Sequence, residues 1–134
     1  MVMMFRGVRG ATTVDENTEE AILGATQVLL QAMIESNAIE EDAVASVIFT
    51  TTADLNAAYP AKAARRLGWR RTALLGAQEA DVPGGLPRCI RILIHWNTAK
   101  SLDEINHIFM GDAKKLRPDL FSEEPSTSNG RDQS

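Results

Sequence analysis

Arg91 stands in an aliphatic run, Cys89-Ile90-Arg91-Ile92-Leu93-Ile94, that follows the polar, glycine-bearing stretch Gln78 to Pro87. Strand alternation puts Ile90, Ile92 and Ile94 on one face and Cys89, Arg91, Leu93 and His95 on the other. A guanidinium cannot shed its charge, so on an apolar strand it must meet an anion or carry a penalty of several kcal/mol. Glu79, at the head of that stretch, is a carboxylate that a mobile loop could fold back toward it. A fixed cation facing a loop-borne acid is chemistry for gripping a small polar molecule and steadying charge that develops on it.

The distribution of charge supports small anions as partners. Between Gly10 and Asp54 every charged residue is acidic, whereas from Leu55 to Gln78 the charges are Lys62, Arg65, Arg66, Arg70 and Arg71. The formal net charge of -4 argues against nonspecific nucleic-acid binding, while the basic cluster raises the local potential for anions. Cys89 is the only cysteine, which rules out an intrachain disulfide and makes a reducing, cytoplasmic compartment the default. With His95 and His107 it forms no spaced ligand set, so no metal is expected. The apolar start Met1 to Phe5 is cut off by Arg6 and Arg9, too early for a membrane span, and no membrane partner is expected.

These residues need a frame, and 134 residues suffice for one domain that buries roughly 68% of its unfolded surface. A strand is expected from Met3 to Arg9, extended through Val14. A helix follows from about Thr18 to Ser36, with Asn17 as N-cap, Glu20 three residues on, and a buried stripe of Ile22, Ala25, Leu29, Ala32 and Met33. Ala45 to Thr51 reads as a strand, Pro60 to Leu67 as a short helix ended by Gly68, and Thr72 to Leu75 as a short strand before a loop from Gly76 to Gly85. Arg88 to Trp96 is the strand bearing Arg91. Ser101-Leu102-Asp103-Glu104 is a capping box, and His107 to Met110 a last strand. The predicted class is α+β, a mixed sheet with the long helix on one face and other subunits against the other. Residues 1–120 are expected to form the domain, and 121–134 a disordered tail with nothing to bury.

Four segments resemble one family: Arg6-Gly7-Val8-Arg9-Gly10-Ala11-Thr12-Thr13; Tyr59-Pro60-Ala61-Lys62-Ala63-Ala64-Arg65; Gln78-Glu79 with Gly84-Gly85-Leu86 and Cys89-Ile90-Arg91; and Leu116-Arg117-Pro118-Asp119-Leu120. In order and spacing they are similar to the monofunctional AroH-class chorismate mutases. The resemblance implies a homotrimeric pseudo-α/β-barrel with three sites at subunit interfaces. It implies conversion of chorismate to prephenate for aromatic amino acid synthesis, with no cofactor. By matching position it assigns Arg9, Arg91 and Glu79 to the substrate, with Tyr59, Ala61, Lys62 and Arg65 lent by the neighbouring subunit. Leu74, Leu75 and Gly76 match wall residues, and Phe109, Leu116 and Arg117 the rest of the pocket. Phe109 stands where the family commonly has tyrosine, and Gly76 where a cysteine is known. Those two departures support the competing reading, a catalytically silent trimeric module that binds small anions or regulates.

Overall fold

In the computed structural model, which describes residues 2–116, the chain runs β1 (Met4–Thr13), α1 (Glu19–Asn37), β2 (Val44–Thr51), α2 (Lys62–Arg66), β3 (Ala73–Gln78), β4 (Cys89–Thr98) and β5 (Ile108–Phe109). Single 3-10 segments lie at Glu41–Ala43, Leu102–Glu104 and Gly111–Leu116. Arg117 and the tail from 121 onward lie outside the described residues. The strands form one mixed sheet in the order β3-β2-β4-β1-β5. β4 is antiparallel to both β1 and β2, while β3 adds parallel to β2 and β5 parallel to β1.

Helix α1 covers one face. Its Leu29, Leu30 and Met33 close a core with Val8, Val47, Phe49, Ile92 and Ile94, the inward residues of three strands. Each such side chain is worth about 1.5–3 kcal/mol of burial, which fixes which face of β4 the isoleucines take. The buried stripe is broader than the sequence period predicts. Leu23, Thr26 and Leu30 are fully covered while Ala25 and Ala32 are only half-buried, because α1 packs against α2 as well as β1.

Both ends of α1 are set by side chains. Thr18, not Asn17, is the N-cap: its backbone is extended and its hydroxyl accepts the Ala21 N–H at 3.1 Å. Asn17 instead reaches across to the loop before α2, accepting the Asn56 and Ala57 N–H groups, each at 3.0 Å. At the far end Ala38 takes the left-handed conformation with φ 56, and buried Asn37 exchanges two hydrogen bonds with the Asn106 backbone. The Ser101 capping box forms as expected, on a single 3-10 turn.

Strand β3 is the main departure. Its Gly-Ala-Gln end reads as loop, yet its parallel pairing with β2 continues to Gln78 opposite Thr51, so the strand extends three residues beyond Leu75. The partner strand supplies the hydrogen bonds that propensity does not favour.

Gly10 lies where β1 passes beneath α1, and a Cβ built there would fall 2.4 Å from Met33 Sδ and 3.2 Å from Leu29 Cδ1. Gly10→Val should therefore lower stability by about 1–3 kcal/mol through overpacking. A chemical denaturation midpoint equal to the parent's would refute that close approach.

Candidate active site

On the face turned away from α1, one row of residues crosses all five strands: Ala77 on β3, Thr50 on β2, Arg91 on β4, Ala11 on β1 and Phe109 on β5, each opposite the next. The adjacent row holds Leu75, Ile48, Leu93 and Arg9. The small side chain of Ala11 leaves a hollow beside Arg91. It is a cavity of about 250 Å³ lined by Arg9, Ala11, Thr50, Glu79, Arg91 and Phe109 over Ile48 and Leu93.

The predicted pair meets in this hollow. Arg91 Nε lies 3.6 Å from Glu79 Oε2, inside ion-pair range but too far for a hydrogen bond. The Nε is buried, and among the described residues it has no hydrogen-bond partner. The two side chains are 38% and 28% exposed, so the pair is half-desolvated rather than sealed. A buried donor on a charged group without an acceptor is costly, and an incoming oxygen anion would relieve it.

Glu79 stands just past the end of β3, at the head of the loop as the sequence implied, yet it is held to the sheet. Its N–H donates to Thr51 O at 2.9 Å, one residue past β3, and the Thr50 hydroxyl donates to its Oε2. The loop proper starts after it and ends at Arg88, whose N–H lies 3.2 and 3.0 Å from the two Asp54 carboxylate oxygens. The Thr52 hydroxyl and that Arg88 N–H hold the Asp54 carboxyl below its ordinary value, so the anchor is ionised at neutral pH. Arg88 also takes φ 47 and donates through Nε to Val14 O, tying the start of β4 to the end of β1.

Arg9 places its guanidinium carbon 5.7 Å from the Phe109 ring centre, a cation over an aromatic face. Its backbone N–H donates to His107 Nδ1 at 3.0 Å, so that nitrogen carries no proton. An imidazole thus replaces the carbonyl that two-residue β5 does not supply. Arg6, an odd step away, points elsewhere and donates to Lys100 O at 3.2 Å. Cys89 is buried beside Ala11, Phe109 and Ala113, and burial pushes its thiol up. Leu116 packs against the same cluster, behind Phe109 rather than in the hollow.

The other predicted residues are elsewhere on the chain. Tyr59, 83% exposed, lines a separate cavity with Lys62, Gly76 and Glu19. Lys62 Nζ pairs with Glu19 Oε2 at 3.2 Å. Ala61 precedes α2 and Arg65 lies exposed on it. Alternation splits the β3 residues: Leu74 packs on the core and Gly76 joins the second cavity, while Leu75, 62% exposed, lies on the face of Arg91. One chain therefore brings together Arg9, Glu79, Arg91 and Phe109 but not Tyr59, Lys62 or Gly76. Thr50 and His107 were not predicted. Nothing local to either residue marks it, since each acquires its role from a strand distant in sequence.

The family model for chorismate mutase type I matches residues 5–120. The chain is 52% identical to the chorismate mutase AroH of Thermus thermophilus over 120 residues, 89% of this chain and 98% of that one. It is 44% identical over 119 residues to the chorismate mutase AroH of Bacillus subtilis (strain 168), covering 88% and 94%. A solved chorismate mutase from Clostridium thermocellum superposes with a TM-score of 0.82 at 50% identity, covering 83% of this chain and 99% of that one. The likeness thus runs along nearly the full length of these relatives, and the chain belongs to the chorismate mutase type I family.

Proposed function

We propose that the chain's chorismate mutase activity, the isomerisation of chorismate to prephenate, resides in the hollow over Arg91. The observation that carries this is the buried Arg91 Nε, held 3.6 Å from the Glu79 carboxylate and hydrogen-bonded to nothing among the described residues. Chorismate is a dianion with an enol-pyruvyl ether and a ring hydroxyl. Its rearrangement is unimolecular and needs neither nucleophile nor proton transfer. The protein's task is to hold the folded chair-like conformer and to stabilise charge that appears as the ether carbon–oxygen bond lengthens.

In this reading Arg91 donates to the ether oxygen, Glu79 accepts from the ring hydroxyl and Arg9 binds a carboxylate. A preorganised donor at developing negative charge is worth about 3–4 kcal/mol. The hollow of about 250 Å³ is smaller than the roughly 300–1,000 Å³ typical of ligand sites, so one chain's cavity is an incomplete one. Tyr59, Ala61, Lys62 and Arg65 complete it from a neighbouring copy, with Leu74, Leu75 and Gly76 as wall. A head-to-tail contact that closes after three subunits makes three such sites. Leu116 and Arg117 are assigned to substrate by the family resemblance alone, no cofactor takes part, and a cytoplasmic location goes with the single cysteine, which is buried. Among the described residues no helix is long and apolar enough to cross a membrane.

Incubating the purified protein with chorismate and following loss of its diene absorbance tests the activity, and the same assay on Arg91→Ala tests its place in the hollow. Turnover to prephenate supports the activity, and no turnover would leave the silent anion-binding module, which relatives bearing the enzyme's name do not favour.

A further inference from the structure

Thr50 lies in the same cross-strand row as Arg91, directly opposite it on β2, and lines the same hollow. Its hydroxyl donates to Glu79 Oε2, the very oxygen that lies 3.6 Å from Arg91 Nε. Glu79 is one residue beyond the end of β3, tied to the sheet there by a single backbone hydrogen bond to Thr51. Beyond it the loop to Arg88 supplies no side-chain hydrogen bond to that carboxylate among the described contacts. A glutamate at a strand end has three rotatable side-chain bonds, and left alone its carboxylate would swing either to solvent or onto the guanidinium. A β-branched threonine is restricted at χ1, so its hydroxyl is a stiffer point of attachment than that of an unbranched side chain.

From this geometry we infer that Thr50 is a positioning residue for the proposed reaction. It holds the Glu79 carboxylate short of a direct hydrogen bond with Arg91 Nε, and leaves Oε1 to accept from substrate. The inference rests on the reading of the hollow as the active site. A closed Arg91–Glu79 pair would satisfy both charges internally, and substrate would have to break it. Held apart by the hydroxyl, the cation keeps an unsatisfied donor and the acid keeps a free acceptor. Both are then oriented before substrate arrives, which is where preorganisation gains its rate.

The test is a double-mutant cycle on the full chain with chorismate as probe. Thr50→Val keeps the shape and removes the hydroxyl, and it should lower kcat/KM about 10-fold, the scale of a lost hydrogen bond to a charged group. Thr50→Ser keeps the hydroxyl and should remain within about 3-fold of the parent, the looser rotamer being its only defect. In a Glu79→Ala background, Thr50→Val should change kcat/KM by less than about 2-fold, since its partner is already gone. Should Thr50→Val fail to assemble, Thr50→Ala in the same cycle reads the same coupling. A Thr50→Val enzyme as active as the parent would overturn the inference while leaving the site assignment intact. A loss that persists undiminished beside Glu79→Ala would overturn it too, showing that Thr50 acts on substrate or fold and not through Glu79. If Glu79→Ala itself has parental kcat/KM, the reading of the hollow fails, and the positioning role falls with it.

Discussion

Arg91→Ala is expected to lower kcat by at least about 10²-fold, the loss seen when a preorganised donor is taken from developing negative charge. The residue is the only cation in its row of the sheet, flanked by Thr50 and Ala11, and neither neighbour can supply a charge in its place. The fold should survive the change. Arg91 faces away from the core beneath α1, and its ion pair with Glu79 is long and partly solvated, so little stability is tied up in it. Arg91→Lys should also be poor, because an ammonium on a flexible stem cannot reproduce a planar donor set held against the sheet. The measurement is kcat at saturating chorismate beside a denaturation midpoint. Parental kcat in a folded Arg91→Ala protein would remove the central residue of the proposed mechanism.

Mixing two inactive variants should restore activity. Arg91→Ala damages the hollow on the open face, while Lys62→Ala damages the cavity lined by Tyr59 and Gly76, and one chain keeps these apart. If a complete site takes the first from one subunit and the second from the next, some mixed interfaces combine an intact half from each. Random reassembly of equal amounts should give about one quarter of the interfaces a full wild-type set, and activity should rise to that order. Each variant alone has none of them. The subunits must first be exchanged, by mild denaturation and refolding or by co-expression. A thoroughly mixed sample no more active than its parts would confine the site to one chain and dismiss the shared arrangement.

The single glutamate–lysine contact in the second cavity bears on that result. Lys62 is engaged by Glu19 at 3.2 Å, with both side chains about half exposed. A solvated pair of this kind is worth little, so it can open for a dianion without a serious penalty. Lys62 is therefore available to substrate in the proposed shared site even though Glu19 pairs with it within one chain.

Much of this was legible in one dimension because its causes are local. Period-2 alternation in Cys89 to His95 assigns Arg91 to the face opposite the isoleucines, and a pleated strand permits nothing else. The Ser101 capping box and the break at Gly68 are likewise contacts among residues a few positions apart. The order of segments around Arg9, Lys62, Glu79, Arg91 and Leu116 was enough to reveal the family.

What the residues in a line could not settle is what stands beside them. That Thr50 lies opposite Arg91, that Ala11 opens the hollow, and that β3 runs on through Gly76 to Gln78 all follow from register between strands tens of residues apart. Register is chosen by the summed burial of a whole sheet face against α1, and no single residue carries that sum. For the same reason Thr18 displaced Asn17 as the cap, since Asn17 found better partners in a loop about forty residues away. Chemistry and face were written in residue type and period; neighbours, distances and the separation of the predicted residues into two cavities were decided only when distant strands settled into one sheet.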